Sequence, residues 1–204
     1  NSISIGNGNK VSGNNSGAIG DPSIINGANS YSVGNTNTIA AGATDAFVLG
    51  NNVNIGAYSN VVALGSNSNV TVNGGVALGS SSVASTDSFT NDPTRTGYVP
   101  PPADAAQKAR IIATNSTLAA VSVGNAANNK FRQITGVAAG TADSDAVNVA
   151  QLVAVQGSIA ASKTKYYSVN STGGGNELND GATGADAIAA GKNAAAAGDN
   201  AVAM

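Results

Sequence analysis

The chain has no histidine, no cysteine and no tryptophan. Without histidine or cysteine, the Ser-His-Asp and Cys-His nucleophile systems and the usual zinc sites are excluded. The missing cysteine also excludes disulfides, which suits an extracellular protein that does without them and a cytosolic one equally. Aromatic residues make up 4% of the chain and charged residues 10%, both low against ordinary globular usage. A conventional two-layer core is hard to build from such material. The net charge is −2 and there is no basic run, so nucleic acid and anionic membrane surfaces are poor partners. No apolar run is long enough to span a membrane, and no signal peptide is seen.

What the chain does have is glycine, 26 residues in 204. Many of these glycines end a short phrase of the form apolar, small, apolar, Gly. The phrase reads Ile3-Ser4-Ile5-Gly6, Gly17-Ala18-Ile19-Gly20 and Tyr31-Ser32-Val33-Gly34, then Phe47-Val48-Leu49-Gly50, Val62-Ala63-Leu64-Gly65 and Val76-Ala77-Leu78-Gly79. The closing glycines are 14, 14, 16, 15 and 14 residues apart. The phrase returns as Val121-Ser122-Val123-Gly124, and in alanine-rich form at Ile188-Ala189-Ala190-Gly191 and Ala195-Ala196-Ala197-Gly198. A near-constant period with small drift is the mark of a solenoid whose turns absorb the drift.

Each phrase reads as a strand. Its two outer residues share one face because strand side chains alternate, and the small residue between them lets a second surface approach the other face. The glycine then turns the chain at little steric cost. A second, weaker strand lies in each period, at Val11, Ile24-Ile25, Ile39, Val53-Ile55, Val70-Val72 and Val83, with Asn, Ser, Gly and Asp between as turn residues. Two strands and two turns make one coil of a narrow parallel β-roll. Such a roll buries little apolar area alone, so association with identical chains is expected to supply the rest.

The rhythm breaks at an insertion, 85–118. It carries Asp92-Pro93, then Tyr98-Val99-Pro100-Pro101-Pro102, for which a polyproline II segment is expected. A helix is expected next over 103–113, with Asp104 near its start and Arg110 near its end as the helix dipole favours. The insertion is expected to fold back on the side of the roll as a brace; the sharper alternative is a ligand-contacting loop.

Beyond Gly124 the chain reads Lys130-Phe131-Arg132-Gln133-Ile134-Thr135-Gly136-Val137-Ala138-Ala139-Gly140, and then Asp145-Ala146-Val147-Asn148-Val149-Ala150-Gln151-Leu152. This string resembles the neck of trimeric autotransporter adhesins, which closes in Asp-Ala-Val-Asn-Val-Ala-Gln-Leu, and the preceding repeats resemble the YadA-like head of that family. Leu152, Val155, Ile159, Ser162 and Tyr166 follow at spacings of 3, 4, 3 and 4, the a/d pattern of a coiled coil. Tyrosines followed by glycines and new head repeats, as in 166–186, also occur in this family as the joint from stalk back to head.

The resemblance implies a mainly β fold. It has a trimeric, left-handed parallel β-roll head, a neck, a short parallel trimeric coiled coil and the start of a second roll. The expected boundaries are 1–125 for the head with its insertion, 126–150 for the neck and 151–165 for the stalk. A connector over 166–186 and the second roll over 187–204 follow. The resemblance places Arg132, Ile134, Val137, Asp145, Val147, Val149, Leu152, Val155 and Ile159 in the trimer neck and stalk, with Asp145 expected to cap the helix that follows. The sequence starts inside a repeat and stops where the next Gly falls due, as expected of a fragment of a longer array.

Other chemistry is set aside. The pairs Asp143/Asp145, Asp87/Asp92 and Asp180/Asp186 have the residue type for a glycosidase, but the neck or turn chemistry explains them. Gly174 to Asp180 only faintly matches calcium-binding glycine repeats and is expected to be a joint. The Asn-x-Ser/Thr triplets at Asn14, Asn69, Asn115 and Asn170 are what an Asn- and Ser-rich chain yields by chance. Lys130/Arg132 and Lys163/Lys165 are expected to form neck salt bridges or a solvated face. No cofactor, metal or catalytic residue is expected, and the chain is read as no enzyme. The partners implied are the chain itself, as a homotrimer, and host extracellular matrix proteins or the host cell surface. The implied location is the bacterial cell surface, with membrane attachment only through a C-terminal outer-membrane anchor outside this segment. Ligand-binding residues stay unknown; exposed coil faces such as Asn67, Ser68 and Asn69 are candidates, and Tyr98 to Pro102 come second. The alternative is a structural spacer with no ligand of its own.

Overall fold

The computed structural model describes residues 1–94, 97–101, 103–161 and 170–204. Residues 95–96, Pro102 and 162–169, which include the Ser162 and Tyr166 heptad positions and the Lys163/Lys165 pair, lie outside the described residues. Two compact units are present, Asn1–Val147 and Asn148–Met204.

The first unit opens with coils of two strands each: β1 (Ile3–Ile5) and β2 (Lys10–Val11), β3 (Gly17–Ile19) and β4 (Ile24–Ile25), β5 (Tyr31–Val33) and β6 (Thr38–Ile39). The series continues with β7 (Phe47–Leu49) and β8 (Asn54–Ile55), β9 (Val62–Leu64) and β10 (Asn69–Val70), and β11 (Val76–Leu78) and β12 (Val83–Ala84). After the insertion, with helix α1 (Ala105–Ala113), comes β13 (Val121–Ser122). The longer strands form one seven-stranded sheet in the order β1-β3-β5-β7-β9-β11-β13. The shorter ones form a four-stranded sheet, β2-β4-β6-β8, and a two-stranded sheet, β10-β12. All pairings are parallel and in register, so Gly17, Tyr31, Phe47, Val62 and Val76 align, as do Ala18, Ser32, Val48, Ala63 and Ala77. The fold is a parallel β-roll, as the period implies.

The core lies between the seven-stranded sheet and the two sheets of short strands. The middle residues Ala18, Val48, Ala63 and Ala77 are buried in one cluster with Ile25, Ile39, Ile55, Val70 and Ala84 of the short strands. Small side chains on one wall and branched ones on the other fill a space too narrow for two large layers. Polar side chains close the corners. Asn37, also buried, donates through Nδ2 to the Gly50 carbonyl at 2.7 Å, while its Oδ1 accepts the Val53 N–H at 2.9 Å. The main-chain groups of the corner are thereby satisfied without water.

The closing glycine is required by space as well as by dihedral. Gly34 has φ +125°, and a Cβ there would sit 1.9 Å from the Gly50 carbonyl oxygen of the next coil.

The insertion is held at its base, where Phe89 N–H donates to the Ser116 carbonyl at 2.9 Å and Ala120 N–H to the Thr86 carbonyl at 3.0 Å. Asp104 and Gln107 make a reciprocal capping box at the start of α1, at 2.8 and 3.0 Å. Of the expected polyproline II run, Pro101 lies in a turn. The Ala103 N–H donates to the Pro100 carbonyl at 2.9 Å and closes a turn just before α1. Proline has no N–H, so Ala103 supplies the donor that completes the turn.

In the second unit, helix α2 (Val149–Ala161) is followed, beyond residues 162–169, by β14 (Ile188–Ala189) and β15 (Val202–Ala203), which pair in parallel.

Candidate functional site: an apolar sheet face and a neck

The outer residues of the repeated phrase point away from the core. Ile3, Tyr31, Phe47 and Val121 of one row are about half exposed, as are Ile5, Ile19, Leu49 and Leu78 of the other. At Gly17 the row lacks a side chain, and the Tyr31 ring fills the gap: a Cβ on Gly17 would meet Tyr31 Cδ1 at 2.9 Å. The result is a continuous apolar ladder on one face of the seven-stranded sheet. Scattered exposed apolar residues are normal, but a contiguous patch marks an interaction surface.

The residues for which the sequence suggests a neck are likewise exposed. Ile134 and Val147 are 69% and 71% exposed in the single chain, and Val137 is partly buried. In α2, Val149, Leu152, Val155 and Ile159 are all more than half exposed. Their spacing puts Leu152, Val155 and Ile159 on one helix face. No residue of α2 is buried. A helix this apolar without its own cover is built for a partner.

Two residues of 126–150 act differently from the sequence expectation. Asp145 does not cap α2. Its carboxylate turns back and accepts the Thr141 and Ala142 N–H groups at 2.8 and 3.0 Å, and the Thr141 hydroxyl at 3.2 Å. These bonds, that from Thr141 N–H first, hold its carboxyl below the usual carboxylate range. The cap is Asn148, whose Oδ1 accepts the Gln151 N–H at 3.1 Å while Gln151 Oε1 accepts the Asn148 N–H at 3.3 Å. The Asn-x-x-Gln spacing was there to be read, but Asp145 stood closer to the usual capping chemistry. Arg132, expected in a salt bridge or on a solvated face, lies instead on the end of the roll. It donates to Ser82 Oγ at 2.9 Å, to the Ser80 carbonyl at 2.5 Å and to the Val123 carbonyl.

Of the coil-face candidates, Ser68 is buried and donates to the Gly65 carbonyl at 2.6 Å, so it is unavailable to a ligand. Asn67 is exposed and accepts from Asn52 Nδ2 at 2.7 Å, and Asn69 lies in β10. Tyr98 is 82% exposed. A groove of about 570 Å³ opens beside α1, with Pro100, Pro101 and Ile111 on its apolar side and the ion pair Arg110–Asp143 on its polar side. In the second unit, sequence reasoning missed Asn176. Its Nδ2 donates to the Ala189 and Gly191 carbonyls, both at 3.2 Å, and its Oδ1 accepts the Gly181 N–H at 2.8 Å. One amide therefore organises the glycine-rich joint; an isolated Asn among many carries no signal in sequence.

Comparison with known proteins agrees with this geometry. Residues 133–175 match the family model described as the coiled stalk of trimeric autotransporter adhesin. The chain is 49% identical over 87 residues, 43% of its length, to the trimeric autotransporter adhesin AtaA of Acinetobacter sp. (strain Tol 5). It is 43% identical over 114 residues, 52% of its length, to the autotransporter adhesin BadA of Bartonella henselae. Against the autotransporter adhesin EhaG of Escherichia coli O157:H7 it is 42% identical over 72 residues, 35% of its length. The matches span only 2% of the first relative and 4% of each of the others.

Proposed function

We propose that this chain is a segment of a trimeric autotransporter adhesin, which its matched residues resemble: a passenger segment that assembles as a homotrimer on the bacterial cell surface and attaches it to host cells or extracellular matrix proteins. The family is non-enzymatic, and the chain is not an enzyme. The head is assigned to 1–125, the neck to 126–150, the stalk to 151–165, the connector to 166–186 and a second roll to 187–204. Arg132, Ile134, Val137, Asp145, Val147, Val149, Leu152, Val155 and Ile159 are assigned to the neck and stalk of the trimer.

The observation that carries the reading is the bare apolar ladder on the seven-stranded sheet. Fully burying one Leu or Ile contributes roughly 1.5–3 kcal/mol, so a ladder of half-exposed residues is a large unused driving force in a single chain. Three copies that turn these faces to a common axis would bury them. Attachment would then be spread over many coils and multiplied by valency.

The test is the mass in solution by light scattering, followed by binding to host cells and immobilised matrix proteins. A mass near three times 19.6 kDa with binding supports the whole reading. A trimer that binds neither leaves a structural spacer of the fibre. A stable monomer at micromolar concentration overturns the assembly.

A further inference from the structure

Over three successive coils of the roll, one carbonyl per coil is answered by the coil that follows. The residue after the closing glycine presents its C=O to the N–H of the next coil's turn residue. Asn35 accepts from Asn52, Asn51 from Asn67 and Ser66 from Ser81, each at 2.9 Å. Ser80 is the next residue of this series, and beyond it the regular coils stop at the insertion. The Ser80 carbonyl accepts instead from Arg132 Nη2 at 2.5 Å. The glycines tell the same story. A Cβ on Gly34 would strike Gly50, and one on Gly65 would strike Gly79, because each coil's turn lies flat on the next. A Cβ on Gly79 would meet the Arg132 guanidinium, 3.0 Å from Cζ.

We infer that Arg132 closes the end of the β-roll by standing in for the regular turn that would follow β13: its guanidinium occupies the stacking site on Gly79 and supplies the donor that a turn's backbone would have given to Ser80. The remaining acceptors fit this role. Nη1 donates to Ser82 Oγ at 2.9 Å and also to the Val123 carbonyl, so one planar group ties the turn between β11 and β12 to the strand that returns from the insertion. Guanidinium suits the task because its donors form a rigid fork aimed at several acceptors, which a lysine ammonium does not offer. An open roll end is a row of unanswered carbonyl and N–H groups, a template for pairing with a second copy. Closing it lets the chain leave the roll for the neck without creating a sticky end.

The contacts all lie within one chain, so the inference stands or falls apart from the proposed trimer. The test is hydrogen exchange, resolved by residue, on Arg132→Ala and Arg132→Lys in the full 204-residue chain. Loss of the cap is expected to speed exchange at Ser81 and Val83 by about tenfold, the worth of one net hydrogen bond. The amides of Gly34 and Gly50, several coils away, should exchange as in the parent chain. Arg132→Lys should fall between. Light scattering on Arg132→Ala should show concentration-dependent association beyond the parent mass. Unchanged exchange at Ser81 and Val83 would overturn the inference. So would an equal loss at Gly34 and Gly50, which would make Arg132 a support of the whole roll rather than its stop.

Discussion

Arg110 grips Asp143 with a two-pronged contact, Nε 2.8 Å from one carboxylate oxygen and Nη2 2.5 Å from the other, across 33 residues of sequence. The pair ties the helix of the insertion to the segment that precedes α2. Both side chains are substantially exposed, so the link is weak in energy and salt-sensitive, yet specific in geometry.

Its pH dependence follows from the sign of the shift. The hydrogen bonds from Arg110 hold the Asp143 carboxyl below its ordinary range. A lowered folded-state value means the contribution is full above the unfolded value, about 4, and is lost as pH falls through the folded one. Exchange protection of the α1 amides, corrected for intrinsic rates, should therefore drop below about pH 4. Asp143→Asn should show the same loss at neutral pH. Protection that is indifferent to both would mean the pair anchors nothing.

The inner and outer faces of the strands should respond differently to substitution. Ile39 is fully buried, whereas Leu49 is half exposed on the apolar ladder. Ile39→Ala should cost about 2–5 kcal/mol of chain stability by chemical denaturation. Leu49→Asp should leave the coil folded by circular dichroism and lower the mass seen by light scattering. The reverse pattern would show that the ladder is not an assembly face.

Gly34→Ala should be disproportionately harmful for so small a change. The new methyl meets the Gly50 carbonyl, and the positive φ adds strain of roughly 1–3 kcal/mol. A melting temperature within a degree of the parent would show that the coils can spread to admit a Cβ.

Asn148→Ala should remove the reciprocal cap of α2 and cost about 1 kcal/mol, seen as faster exchange in the first helical turn. Asp145→Ala should leave that turn untouched and instead free the Thr141 and Ala142 amides.

Val149→Asp tests the neck itself. Val149 is 75% exposed in the single chain, so the substitution should not unfold it. In a trimer it would bring three like charges toward one axis, and the mass should fall toward the monomer. An unchanged mass and melting point would place Val149 outside the interface.

The strands, their pairing in a period of 14 to 16 residues and the parallel roll were legible in the sequence, because they rest on local rules: alternation, turn residues and a glycine at each close approach. So was the a/d spacing of Leu152, Val155 and Ile159. What only the tertiary structure decided is which partner each polar group takes. Asp145 and Asn148 stand three residues apart with similar capping chemistry, and the path of the chain at Thr141 settles which one caps α2. Arg132 meets Ser80 and Ser82 across about fifty residues because the insertion returns beside the last coil, a long-range contact that no period encodes. Ser68 reads as a surface serine in a polar turn, yet it closes a corner from inside. Periodicity records which face a residue is on; the folded path alone determines what stands opposite it.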